Sequence, residues 1–190
     1  MFDMTAQSLI KELTGVSDFA RRAQVLARVT DLFMSGRTLY DEEQIDLFDD
    51  VLTCLSEQVE SPARAFLSER LSIVPNSPKG ITRRLAQDCE IRVARPVLLN
   101  SEQLDDGTLS EIAKSRTQDH LRAISQRKSI SEPVTEILTE RGSIDVLHCV
   151  VENTGARFFD RTFSKLVQRC AHDSNLAAKA WCRQFQAIDW

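Results

Sequence analysis

Four consecutive stretches of this chain, residues 62–88, 89–116, 117–142 and 143–173, read as variants of one unit: helix, short polar turn, helix. Self-similarity at a period of about 20–50 residues marks a stacked repeat, because one helical hairpin cannot bury its apolar face without a neighbour. Each first helix ends in an apolar run closed by a polar residue. Val97, Leu98 and Leu99 lead to Asn100; Ala123 and Ile124 lead through Ser125 and Gln126 to Arg127; Val150 and Val151 lead through Glu152 to Asn153. The closing positions 100, 127 and 153 lie 27 and 26 apart. Each second helix ends in an apolar-basic run, led by Leu85, Ile112, Ile137 and Leu166 at separations of 27, 25 and 29. Such drift suits helix pairs, whose turns absorb an extra residue.

The period within each unit is helical. Leu109, Ile112 and Ala113 recur at three and four, as do Val134, Ile137 and Leu138, and Phe163, Leu166, Val167 and Cys170. That is the stripe of an amphipathic helix. Ser61-Pro62, Ser77-Pro78 and Ser131 ahead of Glu132-Pro133 read as helix starts, with a capping side chain before a first-turn proline. Gly142 after Arg141 reads as a left-handed helix stop. Pro96 is expected to kink or restart its helix near Arg95.

Residues 1–60 do not align with the repeat. They read as a short helix over 5–14 and longer ones over 17–33 and 41–58, punctuated by Gly15 and Gly36. An atypical first unit hides the open face of a repeat array, so this region is expected to be an N-terminal helical cap. The expected fold is therefore all-α: a HEAT-like α-solenoid in which the cap, 1–60, precedes four degenerate helix pairs and a capping helix over 61–190, as one structural domain. The pairs are expected to wind as a short right-handed superhelix. A chain of 190 residues with 6 Gly and 5 Pro has no flexible tether to separate two domains.

Charge is distributed unevenly. Residues 1–60 hold 5 basic and 12 acidic side chains, and the rest of the chain 19 and 16. An acidic cap thus precedes a mildly basic array. Arg64, Arg83, Arg84, Arg92 and Arg95 fall in the first two units, and Arg64 and Arg92 stand 28 residues, one repeat, apart. Arginines at repeat spacing form a ladder that suits an acidic peptide or a phosphate backbone. These five are the candidate partner-binding residues. The basic excess is small for a nucleic-acid binder, so a protein partner is the expectation and nucleic acid the alternative.

Chemistry is sparse. There is no glycine-rich phosphate loop, nucleophile elbow or H-E-x-x-H motif. Asp41, Glu42, Glu43, Asp46, Asp49 and Asp50 cluster, but the first three open a helix, where negative charge suits the dipole. Cys54, Cys89, Cys149, Cys170 and Cys182 form no C-x-x-C pair and read as reduced, mostly buried thiols. His148, Cys149, Cys170, His172 and Cys182 are zinc-ligand types, yet neighbours one or two apart on a helix diverge. No enzyme activity, metal or cofactor is expected. Residues 1–5 lack the pattern of a secretory signal and no apolar run reaches membrane-spanning length, so the expected compartment is the cytoplasm. Trp181, Phe185 and Trp190 near the C-terminus are expected to offer an apolar end for self-association as a homodimer.

Some of these residues resemble a known family. The stretch Glu90-Ile91-Arg92-Val93-Ala94-Arg95-Pro96-Val97-Leu98, with Leu109-Ser110-Glu111-Ile112-Ala113 and His120-Leu121-Arg122-Ala123-Ile124, is similar to an alphaproteobacterial family of unknown function. So are Glu132-Pro133-Val134-Thr135-Glu136-Ile137-Leu138 and Asn153-Thr154-Gly155-Ala156-Arg157-Phe158. The resemblance covers roughly 61–173 and implies a HEAT-like helical repeat with no catalytic residues to carry over. With the acidic-to-basic gradient, the expected function is a non-catalytic protein-binding adaptor or regulatory scaffold.

Overall fold

The computed structural model describes residues 19–170 and 173–186, with side chains as far as Trp181. The helix expected over 5–14, and Trp190, lie outside these residues. Among the described residues the fold is all-α, with eleven helices and no strand. They are α1 (Phe19–Gly36), α2 (Glu42–Ser56), α3 (Ser61–Ser72), α4 (Lys79–Ala86), α5 (Ile91–Asn100), α6 (Asp106–Ser115), α7 (Gln118–Ser125), α8 (Glu132–Arg141), α9 (Ile144–Glu152), α10 (Asp160–Cys170) and α11 (Ser174–Gln186). The chain forms two compact units. Unit 1 is Met1–Val97 with Ser101–Gln103; unit 2 is Leu98–Asn100 with Leu104–Trp190.

In unit 1, α1 packs on α2 and α3, and α4 packs on α2 and α3. The sequence dictates which faces meet. Leu26, Val29, Thr30 and Phe33 of α1 recur at three and four, as do Phe48, Val51, Leu52 and Leu55 of α2, and all are buried. Phe33 sits at the centre, stacked on Tyr40 at a centroid distance of 6.1 Å and edge-on to Phe48 at 5.2 Å. Asp41 caps α2: its Oδ1 accepts from the Gln44 backbone N–H at 2.9 Å while the Gln44 side chain accepts from the Asp41 N–H. This reciprocal box satisfies two of the donors a helix start leaves open.

The start of α4 is closed from a distance. Asp49, on α2, accepts from the backbone N–H groups of Gly80 and Ile81, both at 2.6 Å. Ser77 does not cap α4; Pro78 occupies the cap position and the Ser77 hydroxyl accepts from Thr82 Oγ1 at 3.2 Å. Gly80 is small for a reason of space, since a Cβ there would lie 2.8 Å from Asp49 Oδ2. Replacing Asp49 with Ala should therefore cost about 1–2 kcal/mol in a urea titration, the loss of an N-cap with two bonds. Asp49→Asn should retain only part of it, because its amide offers one acceptor oxygen where the carboxylate uses two, and an unchanged midpoint for Asp49→Ala would show the two bonds to be idle.

In unit 2, α6 packs on α7 and α8, α7 on α8 and α9, α8 on α9 and α10, and α11 on α9 and α10. A helix touched by several neighbours needs a wide face, and the buried pairs supply it: Thr108, Leu109, Ile112 and Ala113 on α6, Val134, Thr135, Leu138 and Thr139 on α8, Val146, Leu147, Val150 and Val151 on α9.

The residues that close each helix are ties. Arg127 Nη1 donates to the Leu98 carbonyl at 2.5 Å. Asn153 Nδ2 donates to the carbonyls of Ser125 and Arg127, at 2.9 and 2.6 Å. Arg141 donates to the Ala113 carbonyl and Arg169 to that of Thr139. Each reaches back 26–30 residues and fills one of the acceptors that a helix C-terminus leaves open. The turns after α7 and α9 are also stitched by an isolated parallel bridge, in which the Ile130 N–H donates to the Gly155 carbonyl at 3.1 Å and the Arg157 N–H to that of Ile130 at 2.9 Å.

Further local expectations change, and Ser131, though the cap residue of α8, makes no side-chain bond to it. Ser61 is the first residue of α3 rather than its cap, which is Glu60 with no side-chain bond. Gly142 closes α8 in an extended conformation (φ −64°, ψ 142°), not a left-handed one. Its need is again room, since a Cβ would meet the Leu138 carbonyl at 2.5 Å and Val146 Cγ1 at 2.7 Å. Finally, α5 runs through Pro96 without restarting; the proline has no N–H to offer the Arg92 carbonyl, and the helix tolerates that loss.

Candidate functional site

The five candidate arginines all lie in unit 1, on three helices, and their surroundings divide them. Arg64, near the start of α3, is half-buried. Its Nε donates to Asp88 Oδ2 at 2.7 Å and its Nη1 to the Val59 carbonyl at 2.8 Å. Asp88 in turn accepts from the Glu90 N–H at 2.9 Å. Arg64 thus ties the start of α3 to the turn after α4, a structural task. Arg84, in the last turn of α4, is half-exposed and pairs with Glu57 Oε1 at 2.9 Å. These four charges line a shallow depression of about 330 Å³ together with Ser56 and Leu85. Two guanidiniums facing two carboxylates leave no net charge there.

Arg83 is exposed beside Arg84 on α4. Arg92 and Arg95 are exposed on α5, three residues apart and so on one side of that helix. The structure therefore brings Arg64 and Arg84 together, around two acids, and gathers Arg92 and Arg95 as a second pair. The repeat spacing that links Arg64 to Arg92 does not give them equal freedom.

A second depression in unit 1, of about 680 Å³, is walled by Tyr40, Asp41, Glu42, Ile45, Asp46 and Lys79. The acidic cluster of the sequence is thus split by task. Asp41 and Asp49 are consumed as caps of α2 and α4, whereas Glu42, Glu43, Asp46 and Asp50 face solvent.

Of the described histidine and cysteine residues near the C-terminus, His148 is paired and Cys170 is packed in the core. His148 Nε2 lies 3.1 Å from Asp173 Oδ2. Asp173 also caps α11, accepting from the Leu176 N–H at 3.0 Å through Oδ1. Cys149 is half-buried and Cys170 fully buried; His172 and the side chain of Cys182 lie outside the described residues. Among the described residues no three His, Cys, Asp or Glu side chains converge as a metal site, and no helix is long and apolar enough to cross a membrane.

The Leu176 N–H and then His148 hold the Asp173 carboxyl below its ordinary value of 3.8. A depressed folded value stabilises the folded state above the unfolded value, and the gain is lost as pH falls through the folded one. The acid limb of the stability profile, below about pH 4, should therefore flatten in Asp173→Asn relative to the parent. Chemical denaturation at pH 3, 4 and 6 reads it; parallel limbs would show that Asp173 contributes nothing there.

Residues 93–185 match the model of a family described as an uncharacterised protein conserved in bacteria (DUF2336). The match begins within α5 and takes in nearly all of unit 2. No curated protein and no solved structure matches the chain.

Proposed function

We propose that this chain is a HEAT-like α-solenoid, of the alphaproteobacterial kind that its sequence resembles, and that it works in the cytoplasm as a non-catalytic protein-binding adaptor or regulatory scaffold. The observation that carries the reading is the order of packing in unit 2. Alternate helices touch, α6 with α8, α8 with α10, α7 with α9 and α9 with α11, and most sequence neighbours pair as well, α6 with α7, α7 with α8, α8 with α9 and α10 with α11. Helices that queue in two rows bury their shared sides and leave their outer sides free for a partner. Exposed Arg92 and Arg95 on α5 offer acidic groups of a partner two adjacent guanidiniums.

The reading is tested by crosslinking in the native host, with mass spectrometry of the recovered protein. A defined partner should be recovered with the parent chain and lost with Arg92→Glu/Arg95→Glu, whose helical circular dichroism stays unchanged. Equal recovery from both would reject the α5 surface. The nucleic-acid alternative has less support, because Arg64 and Arg84 are already engaged by Asp88 and Glu57. Labelled duplex DNA should show no binding at low salt; steeply salt-dependent binding would replace the adaptor reading. We also propose self-association through the end that α11 forms, where Trp181 is half-exposed. Sedimentation of monomer alone at high concentration would remove it.

A further inference from the structure

Two turns of unit 1 wall the same depression, the one of about 680 Å³. The first, 37–41, joins α1 to α2 and supplies Tyr40 and Asp41; the second, 73–78, joins α3 to α4 and supplies Asn76 and Ser77. Glu42, Ile45 and Asp46, three and four apart at the start of α2, add one side, and Lys79, the first residue of α4, completes it. The frame is held from within. Asp41 sits in the capping box of α2. The Tyr40 hydroxyl donates to the Leu32 carbonyl at 3.0 Å, and the Gln103 side chain donates to the Pro75 carbonyl. A preformed frame spares a ligand part of the ordering cost of binding.

Charge and apolar exposure both indicate what fits. Three carboxylates, Asp41, Glu42 and Asp46, stand against one ammonium, Lys79. Glu42 and Asp46 have no partner among the described residues, so the wall is negative. Leu39 is 84% exposed and Ile73 69%, the two highest values for a large apolar side chain among the described residues. Scattered apolar side chains are ordinary on a surface. These two belong to the very turns that build one charged hollow: Leu39 directly precedes Tyr40, and Ile73 stands three residues before Asn76. A bare metal ion is not provided for, since among the described residues no three acids converge as ligands. A cationic side chain flanked by aliphatic ones needs no such convergence.

We propose that this end of unit 1 docks a basic, aliphatic peptide segment of a partner protein. Its Lys or Arg heads would meet Glu42 and Asp46, and its apolar side chains Ile45, Leu39 and Ile73. The sign is opposite to that of Arg92 and Arg95, so this is a second surface. It rests on the adaptor reading only in that the natural ligand belongs to a protein.

The test is fluorescence anisotropy of the full chain with two labelled synthetic peptides of about 12 residues, each with Leu at helical spacing. One carries Lys at its polar positions and the other Glu. The Lys peptide should bind, more weakly as salt rises, and the Glu peptide should not. Glu42→Lys/Asp46→Lys should weaken binding at least about 10-fold, because like charges then meet. Leu39→Ser/Ile73→Ser should weaken it by about 5- to 30-fold, the worth of two partly buried aliphatic side chains. All four positions face solvent, so the helical circular dichroism of both double variants should match the parent. Arg92→Glu/Arg95→Glu, outside the depression, should leave the affinity within about 2-fold. Absence of Lys-peptide binding would overturn the proposal, as would equal binding of the Glu peptide or indifference to either unit 1 double variant. So would an affinity that simply follows net charge and rises in Arg92→Glu/Arg95→Glu. None of these results bears on crosslinking in the native host, so failure here leaves the adaptor reading standing.

Discussion

Phe33→Ala should lower the stability of unit 1 by about 3–5 kcal/mol, the span seen when a buried phenylalanine is cut back to Ala. The ring has no exposed surface and is contacted by Tyr40 and Phe48. Its removal forfeits the transfer energy of the side chain and two aromatic contacts, and leaves a cavity that helices on both sides are poorly placed to fill. Tyr40 is fixed from its far end, its hydroxyl donating to the Leu32 carbonyl at 3.0 Å, so it cannot slide into the space. Phe33→Leu should cost less, about 1.5 kcal/mol or under, because most of the volume is retained. Urea denaturation followed by exchange within α1 and α2 reads both variants. A loss below about 1 kcal/mol for Phe33→Ala would mean that this residue does not centre the core of unit 1.

Gly155→Ala should cost unit 2 about 3 kcal/mol, through overpacking and lost backbone bonds rather than through conformational freedom. Its backbone does not adopt a positive φ, so the usual argument for glycine does not apply. The reason is proximity. A Cβ at this position would collide with the Lys128 carbonyl oxygen, and would lie 2.9 Å from the Lys128 carbonyl carbon and 3.2 Å from Ser129 Cα. All three belong to the backbone and cannot rotate aside. Relief means parting the Ile130–Ala156 bridge and disturbing the Asn153 side chain, whose Oδ1 accepts from the Gly155 N–H at 2.8 Å. Thermal unfolding of Gly155→Ala and of Asn153→Ala should show a loss in both, the larger in the first. A melting temperature of Gly155→Ala equal to that of the parent would contradict the close approach.

Helix type was readable because apolar spacing is local information. The run Phe48, Val51, Leu52, Leu55 announces one face of α2, and that face is buried. The positions of Asn153, Arg127, Arg141 and Arg169 at the ends of apolar runs were equally visible. Their work was not, because each acts on a carbonyl 26–30 residues earlier, and nothing in the adjacent sequence names that acceptor. Asp49 was hidden in the same way. It sits in an acidic run that looks like a solvated helix face, yet it closes a helix 31 residues further on. The candidate site suffered most. Spacing places Arg64 and Arg92 one repeat apart, but only the fold reveals that Asp88 has claimed the first and that the second stands exposed. Charge along a chain reports which groups exist, and their availability is decided by what folds back against them.

The backward-reaching arginines carry one more consequence. Since Arg141 completes the end of α6 and Arg169 the end of α8, α8 and α10 each plug a socket left by the helix two before them. Excising residues 117–142 whole would leave Arg169 to meet Ala113 and Asn153 to meet the end of α5, so a shortened chain keeps its closures. Removing a lone helix would leave plugs and sockets mismatched. Lengthening or shortening of unit 2 is thus restricted to even steps, by a handful of side chains rather than by the core itself.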